Sequence, residues 1–406
     1  MTGRDYLRIW YVAQMGATVL FMVAILAREI MLQRPIRWLM AVLLLAVLVG
    51  FLIEIIHDRV PNWVSTINNW LQAICQPLAL IMVWGIVSRE IILLLYLPAR
   101  GILSITVLYY FVMFAPFAGV IGARFHNVIA RIILLFYWLI LVVEFMNVAY
   151  PTSLAGPHFL KLGMSTGFFG SIAYLIMVTT LMRVWQLSWP GLTPHWHDDI
   201  SVWVIIFLVV VDVVYTLYNG DFHFQHGLLS GFHYPGLKMT LQALETGIGE
   251  ETFFRFGLLG VLLYALQNFR FKVPTAIIIS AVLFGLSHLM NLAGQRLDVT
   301  LLQVFSAFGC GLFFACVYLY TGQLWLTMLM HFLIDWTAVA VDGTFIMTGS
   351  ISGNDWLVTS IQVVIDIAIF VWMLFGKRRH ALERHSGRFV GDKQRFDYRL
   401  PNSNFH

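Results

Sequence analysis

Apolar residues in this chain run in long uninterrupted stretches separated by short polar breaks, with no period-two alternation. A helix that crosses the hydrocarbon core needs roughly 20 such residues, whereas a spanning β-barrel would show alternating strands of about 10. The pattern predicts an all-α, polytopic transmembrane bundle of about twelve spans. They fall near residues 9–27, 38–56, 69–87, 102–123, 129–149, 163–182, 200–218, 238–268, 274–290, 300–320, 322–341 and 355–376. The segment Ile91–Pro98 is too short to cross and reads as interfacial.

Composition agrees with a lipid solvent. Of 406 residues, 60% are hydrophobic and 11% charged, against about 25% charged in soluble domains. The mean hydropathy is +0.81. So little polar surface cannot cover this much apolar side chain in water, and in lipid the helix satisfies its own backbone. The partners this predicts are the lipid bilayer and a membrane-associated molecule, not nucleic acid. Cys75, Cys310 and Cys316 all lie in apolar runs and offer no disulfide framework. No cleavable leader is evident, because Ile9–Ala27 is long enough to remain as a span and no small-residue cleavage site follows it.

Charge adds orientation. Residues 377–406 hold eight Lys/Arg and three acids, a net +5, and the rest of the chain sums to −1. A basic segment directly after a span reads as a solvated cytoplasmic tail and stop-transfer anchor, expected here in a bacterial cell membrane. Counting back from it, Asp342–Asn354 falls outside, Arg270, Lys272 and Arg183 inside, and Tyr150–His158 outside. Arg28, Arg34 and Arg37 would then fall outside, against the positive-inside rule, so the sidedness of the first half stays open. The expected organisation is N-terminal spans over 1–199, a chemistry-bearing core over 200–376 and the basic tail over 377–406.

Ionisable groups inside apolar helices are costly and mark function by default. Most of them cluster after residue 240. The first group is Glu250-Glu251-Thr-Phe-Phe-Arg255, preceded by Glu245, Gly247 and Gly249. At about 100° per residue, Glu251 and Arg255 are i,i+4 neighbours that can pair, while Glu250 points away and is left free for proton work. The two glycines allow a kink or a close backbone approach. The second group ends a later span as Phe284-Gly-Leu-Ser-His288, and the third is His331-Phe-Leu-Ile-Asp335, with both polar residues on one helix face. Such a set can activate a water with a carboxylate and stabilise the oxyanion formed when that water attacks a carbonyl.

E-E-x-x-x-R, F-x-x-x-H and H-x-x-x-(N/D), in this order on successive membrane helices, resemble the motifs of the CAAX protease and bacteriocin-processing family of intramembrane proteases. The resemblance covers roughly residues 200–376. It implies a CAAX-type endopeptidase acting on a membrane-associated peptide or protein. Glu250 would activate water with His288 helping to hold it, Glu251 and Arg255 would shape the site, and His331 with Asp335 would bind the oxyanion. Many relatives carry Asn at the last position. An ionised Asp only accepts hydrogen bonds, so Asp335 is expected to orient or charge His331, or to ligate a metal. Glu, His and His could hold zinc with an open water position. No H-E-x-x-H pair supports zinc, and the expectation is a hydrolase without an obligatory metal.

Other readings compete. The acids and Arg255 could be a buried ion-pair network, His288 an interfacial histidine, and the whole chain a non-catalytic scaffold or bacteriocin-immunity protein binding another membrane or cell-wall enzyme. A transporter is a third class, but no paired inverted half is visible. Glu54, Glu144, Asp212 and Asp366 carry no motif and read as helix–helix hydrogen-bonding groups or span ends. His195, His197, Asp198 and Asp199, or Asp221, His223, His226 and His233, match no established metal spacing.

Overall fold

The computed structural model describes residues 3–35, 37–56, 60–146, 156–191, 200–219, 233–344 and 350–390. The protein is 84% helical, and no strand occurs among the described residues. It is an all-α polytopic bundle. Packing divides it into two compact units that meet between Trp185 and Gln186.

Seven helices among the described residues are long and apolar enough to cross a membrane, and an eighth span arises if His158–Ser165 and Phe168–Val184, bent by 62°, count as one. The count of about twelve is not confirmed among the described residues. The expected spans near 200–218 and 322–341 coincide with the apolar helices Val202–Asn219 and Leu324–Asp342. The expected span near 129–149 is a helix of 12 residues followed by a wide turn at Ile140–Glu144. Ile91 is not in a separate interfacial piece, because Asn62–Leu95 is one helix of 34 residues.

In the N-terminal unit, α1 (Gly3–Met31), α2 (Trp38–Ile55) and α3 (Asn62–Leu95) pack together. They are followed by α4 (Ala99–Val112), α5 (Phe114–Val120), α6 (Val128–Leu139), α7 (His158–Ser165) and α8 (Phe168–Val184). Polar groups here pair among themselves. Glu54, 2% exposed at its side chain, lies 2.6 Å from Arg124 and 3.3 Å from Arg8. Arg28 reaches Glu90 at 2.7 Å, which explains how α3 continues through a charged stretch that sequence patterning takes as its end. Glu144, by contrast, is exposed.

The C-terminal unit contains α9 (Val202–Asn219), α10 (Leu237–Glu251), α11 (Leu259–Ala265), α12 (Lys272–Ser287), α13 (Leu297–Thr321), α14 (Leu324–Asp342), α15 (Gly353–Met373) and α16 (Gly376–Phe389). Helix α13 packs against α12 on one side and α15 on another, and α14 lies against α10 and α9. Small residues set these distances. A Cβ at Gly247 would lie 2.8 Å from the Met328 carbonyl oxygen, and one at Gly311 2.8 Å from the Ala281 Cα. Contacts that short are with backbone, which cannot rotate away, so larger residues would push the helices apart.

Helix α16 begins within the segment expected to be a solvated tail, and it is packed. Ala381, Leu382, His385, Ser386 and Phe389 are buried along one face at helical spacing. Phe389 stacks on Tyr318 with ring centroids 4.9 Å apart, and a His385 ring nitrogen is 2.8 Å from the Leu319 carbonyl. The basic character survives on the other face, where Arg379 pairs with Glu383 at 2.7 Å and Arg378 lies 4.0 Å over the Trp372 ring.

Candidate active site

The site is assembled where α10, α12 and α14 meet the flank of α13. Helix α10 ends at Glu251, and the chain continues without a break as one wide π turn over Thr252–Leu258, all seven residues of which are buried. A π turn inserts a residue into the helical register and re-aims the side chains on either side of it, and such turns recur at functional sites. Gly247, one turn before Glu251, lets α10 reach the backbone of α14 at Met328 and Phe332. That approach brings two adjacent glutamates to a histidine 80 residues away in sequence.

Glu251 and Glu250 occupy different environments, as their angular separation on the helix predicts. The Glu251 side chain is 0% exposed and stands 3.2 Å from Arg255, itself 0% exposed. This is a contact between charges without hydrogen-bond geometry, and the guanidinium nitrogens of Arg255 have no other hydrogen-bond partner. The guanidinium is instead boxed by aromatic faces, 4.6 Å from the Phe284 ring centroid and 5.5 Å from that of Phe314. Cation–π contacts of this kind supplement the carboxylate where both charged side chains are fully buried. The Glu250 side chain is 30% exposed, the more open of the two.

His331 links both acids. Its Nδ1 lies 3.0 Å from Glu251 Oε1. An ionised carboxylate only accepts, so Nδ1 carries the hydrogen and donates it. The opposite ring nitrogen, Nε2, is 3.9 Å from Glu250 Oε2 and 3.7 Å from Asp335 Oδ2. Both gaps exceed a hydrogen bond and leave the nitrogen facing two carboxyl groups. The imidazole is stacked on Phe314, with ring centroids 5.5 Å apart. Asp335 is thus not in direct hydrogen-bond contact with His331, and the group that orients the imidazole is Glu251.

His288 sits at the end of α12, with Nδ1 3.0 Å from the Phe284 carbonyl. It and His331 approach the Phe284 ring edge-to-face, at 5.2 and 5.8 Å between ring centroids. Phe284 therefore stands between the two histidines as well as against Arg255. Of the six candidate residues, Glu250, Glu251, Arg255, His331 and Asp335 form one contiguous group, and His288 adjoins it across the phenyl ring.

Two features of the site lie beyond sequence reasoning. The Glu251–His331 contact depends on which helices pair, and Phe314 carries no motif. Phe284 could have been found, since it opens the F-x-x-x-H pattern. Among the described residues, no three His, Cys, Asp or Glu side chains converge as a metal site. The loop clusters at 195–199 and 221–226 lie outside the described residues, and the His233 backbone N–H donates to the Ala340 carbonyl at 2.9 Å.

Residues 233–337 match the family model described as Type II CAAX prenyl endopeptidase Rce1-like. That segment is similar to the Rce1-like type of CAAX endopeptidase domain. It is narrower than the 200–376 expected from the motifs, yet it contains all six candidate residues. The Rce1-like domain thus spans the helices that build the polar cluster, from the start of α10 to the Glu251-bound face of α14. Neither a curated protein nor a solved structure matches the chain.

Proposed function

We propose that this protein is an intramembrane CAAX-type endopeptidase that hydrolyses a peptide bond of a membrane-associated peptide or protein by direct attack of an activated water. The observation that carries this reading is His331 between two carboxylates of opposite exposure, within the Rce1-like domain. Glu250 is the base. It takes a proton from a water held in the polar gap beside His331 Nε2, and the hydroxide formed attacks the substrate carbonyl carbon. A carboxylate working in this way contributes about 10²–10⁴-fold.

His331 is the oxyanion donor. With Nδ1–H fixed on Glu251, a doubly protonated ring presents Nε2–H to the developing negative charge, and Glu251 and Asp335 stabilise that imidazolium while Glu250 holds the water's proton. Arg255 neutralises Glu251, so the orienting carboxylate stays fixed in a dry pocket. Collapse of the tetrahedral species returns the proton from Glu250 to the leaving amine, which restores the enzyme. His288 holds the water or the substrate backbone from the far side of Phe284.

Cys310 contacts Tyr215 and Gln362 rather than a histidine, which is consistent with water rather than a thiol as nucleophile. The basic face of α16 supports a cytoplasmic placement of the C-terminal end. The test is cleavage of a quenched peptide library by the purified protein in liposomes, wild type against Glu250→Gln and His331→Ala. Cleavage by wild type that is lost in both variants supports the reading. Cleavage that survives both variants contradicts it.

A further inference from the structure

Away from the polar cluster, α9 and α15 border an open groove of about 540 Å³. Trp203, Val204 and Phe207 line it from α9, and Ile365, Ala368 and Trp372 line it from α15. Ile369, 4% exposed, forms its floor. Every one of these side chains is aliphatic or aromatic, so the groove suits hydrocarbon and offers nothing to an ion. Phe207 and Trp372 meet edge-to-face across it, with ring centroids 5.6 Å apart.

The groove has a defined mouth. Helix α15 ends at Met373, next to Trp372, and α9 begins at Val202, next to Trp203. The two tryptophans therefore stand at one edge of the apolar zone, the level that indole rings prefer in a membrane. Ile365 precedes Trp372 by seven residues, about 10 Å further along the helix. The groove thus runs inward from the membrane edge, along the course an acyl chain takes.

Positive charge gathers at that mouth. Helix α16 starts at Gly376 and carries Lys377 and Arg378 in its first turn, with no acid there to offset them. Arg378 donates from Nε to the Trp372 carbonyl at 3.0 Å and lays its guanidinium 4.0 Å over the Trp372 ring. One residue, Trp372, thus touches both the groove and the cation. Neither Lys377 nor Arg378 meets a carboxylate among the described residues, and Glu383, the acid of this helix, is bound to Arg379. Two cations at the end of a helix where the backbone dipole is also positive are unfavourable alone and favourable around an anion. A plain lipid-facing surface accepts any acyl chain. An apolar groove with cations at its mouth selects a molecule that has an apolar tail and a negative head.

We propose that the groove between α9 and α15 binds one anionic phospholipid, its acyl chain along Phe207, Ala368 and Ile365 and its headgroup on Arg378 and Lys377. None of these residues belongs to the polar cluster, so the site stands independently of the peptidase reading.

The test is photolabelling of the full-length protein in phosphatidylcholine nanodiscs, with adducts mapped by mass spectrometry. Two probes carry the same acyl-chain diazirine, one on phosphatidylglycerol and one on phosphatidylcholine, each as a trace component. The expected result is that the phosphatidylglycerol probe concentrates at Phe207, Ile365 and Ala368, above its labelling of Leu45 and Ile133, which are exposed on other helices. The phosphatidylcholine probe should label all five positions alike. Lys377→Gln/Arg378→Gln should lower groove labelling by phosphatidylglycerol about 30-fold, at about fivefold per cation. Ala368→Trp fills the groove and should remove the label at Phe207 and Ile365 while leaving Leu45 unchanged. Equal labelling of the groove by both probes would reduce it to ordinary lipid contact and overturn the proposal. So would phosphatidylglycerol labelling that survives both variants, or adducts at Leu45 and Ile133 with none in the groove. The comparison of the two probes on wild type needs no variant to fold.

Discussion

Replacing Glu251 by Gln leaves the shape of the site and the acceptor for His331 Nδ1 intact, and removes only the charge. That charge is the sole carboxylate partner of Arg255 among the described residues, at 3.2 Å with both side chains 0% exposed. Breaking a buried pair from one side strands the other charge, which costs about 3–5 kcal/mol. The aromatic faces of Phe284 and Phe314 offset only about 0.5–2 kcal/mol of this. At about 2–4 °C per kcal/mol for a unit of this size, the net loss should lower the melting midpoint of Glu251→Gln by roughly 2–18 °C. Removing both charges should be far milder than the sum, so the Glu251→Gln/Arg255→Met double variant should recover at least half of the loss. The internal control is Arg379–Glu383, with side chains 57% and 42% exposed. There Glu383→Gln should cost at most about 1 kcal/mol. Melting of these proteins together with the Arg255→Met single variant in one detergent gives the comparison. A Glu251→Gln loss no larger than that of Glu383→Gln, or a double variant whose loss is additive, would refute the buried-charge argument.

Three other outcomes follow from the same geometry. Gly247→Ala puts a Cβ 2.8 Å from the Met328 carbonyl oxygen and should separate α10 from α14. The expected result is an activity loss of about 10²-fold from a shift near 1 Å, with about 1–3 kcal/mol lost in a melting assay. Glu54→Gln removes the carboxylate shared by Arg8 and Arg124, and should destabilise the N-terminal unit while leaving the activity per folded molecule unchanged. Water activation by Glu250 needs no metal, so a chelator should not alter cleavage. Inhibition that zinc reverses would overturn that expectation.

Much of this was legible in the sequence, and the limits have physical causes. The all-α class follows from unbroken apolar runs, because lipid leaves the backbone no other open structure. The pairings of Glu251 with Arg255, and of His331 with Asp335 on one face, follow from the helical period alone. Their partners across helices do not. His331 meets Glu251 only because Gly247 admits α14, and no local rule announces which helix will lie there. The end of α3 was misplaced for a related reason. Hydropathy treats a charge as a terminus, yet Glu90 stays inside α3 through its pair with Arg28. The basic C-terminal segment misled in the opposite direction, since its charge hides a buried face at Ala381, Leu382, His385 and Phe389.

The central claim is that Glu250 activates a water that attacks the peptide directly. The most direct measurement is single-turnover cleavage in ¹⁸O-labelled water, with mass analysis of both product and enzyme. The account predicts one ¹⁸O in the new C-terminal carboxylate, none in Glu250, and a rate about 10²–10⁴-fold lower in Glu250→Gln. Label in the Glu250 side chain after the first turnover, or a Glu250→Gln variant that cleaves at the wild-type rate, would contradict it.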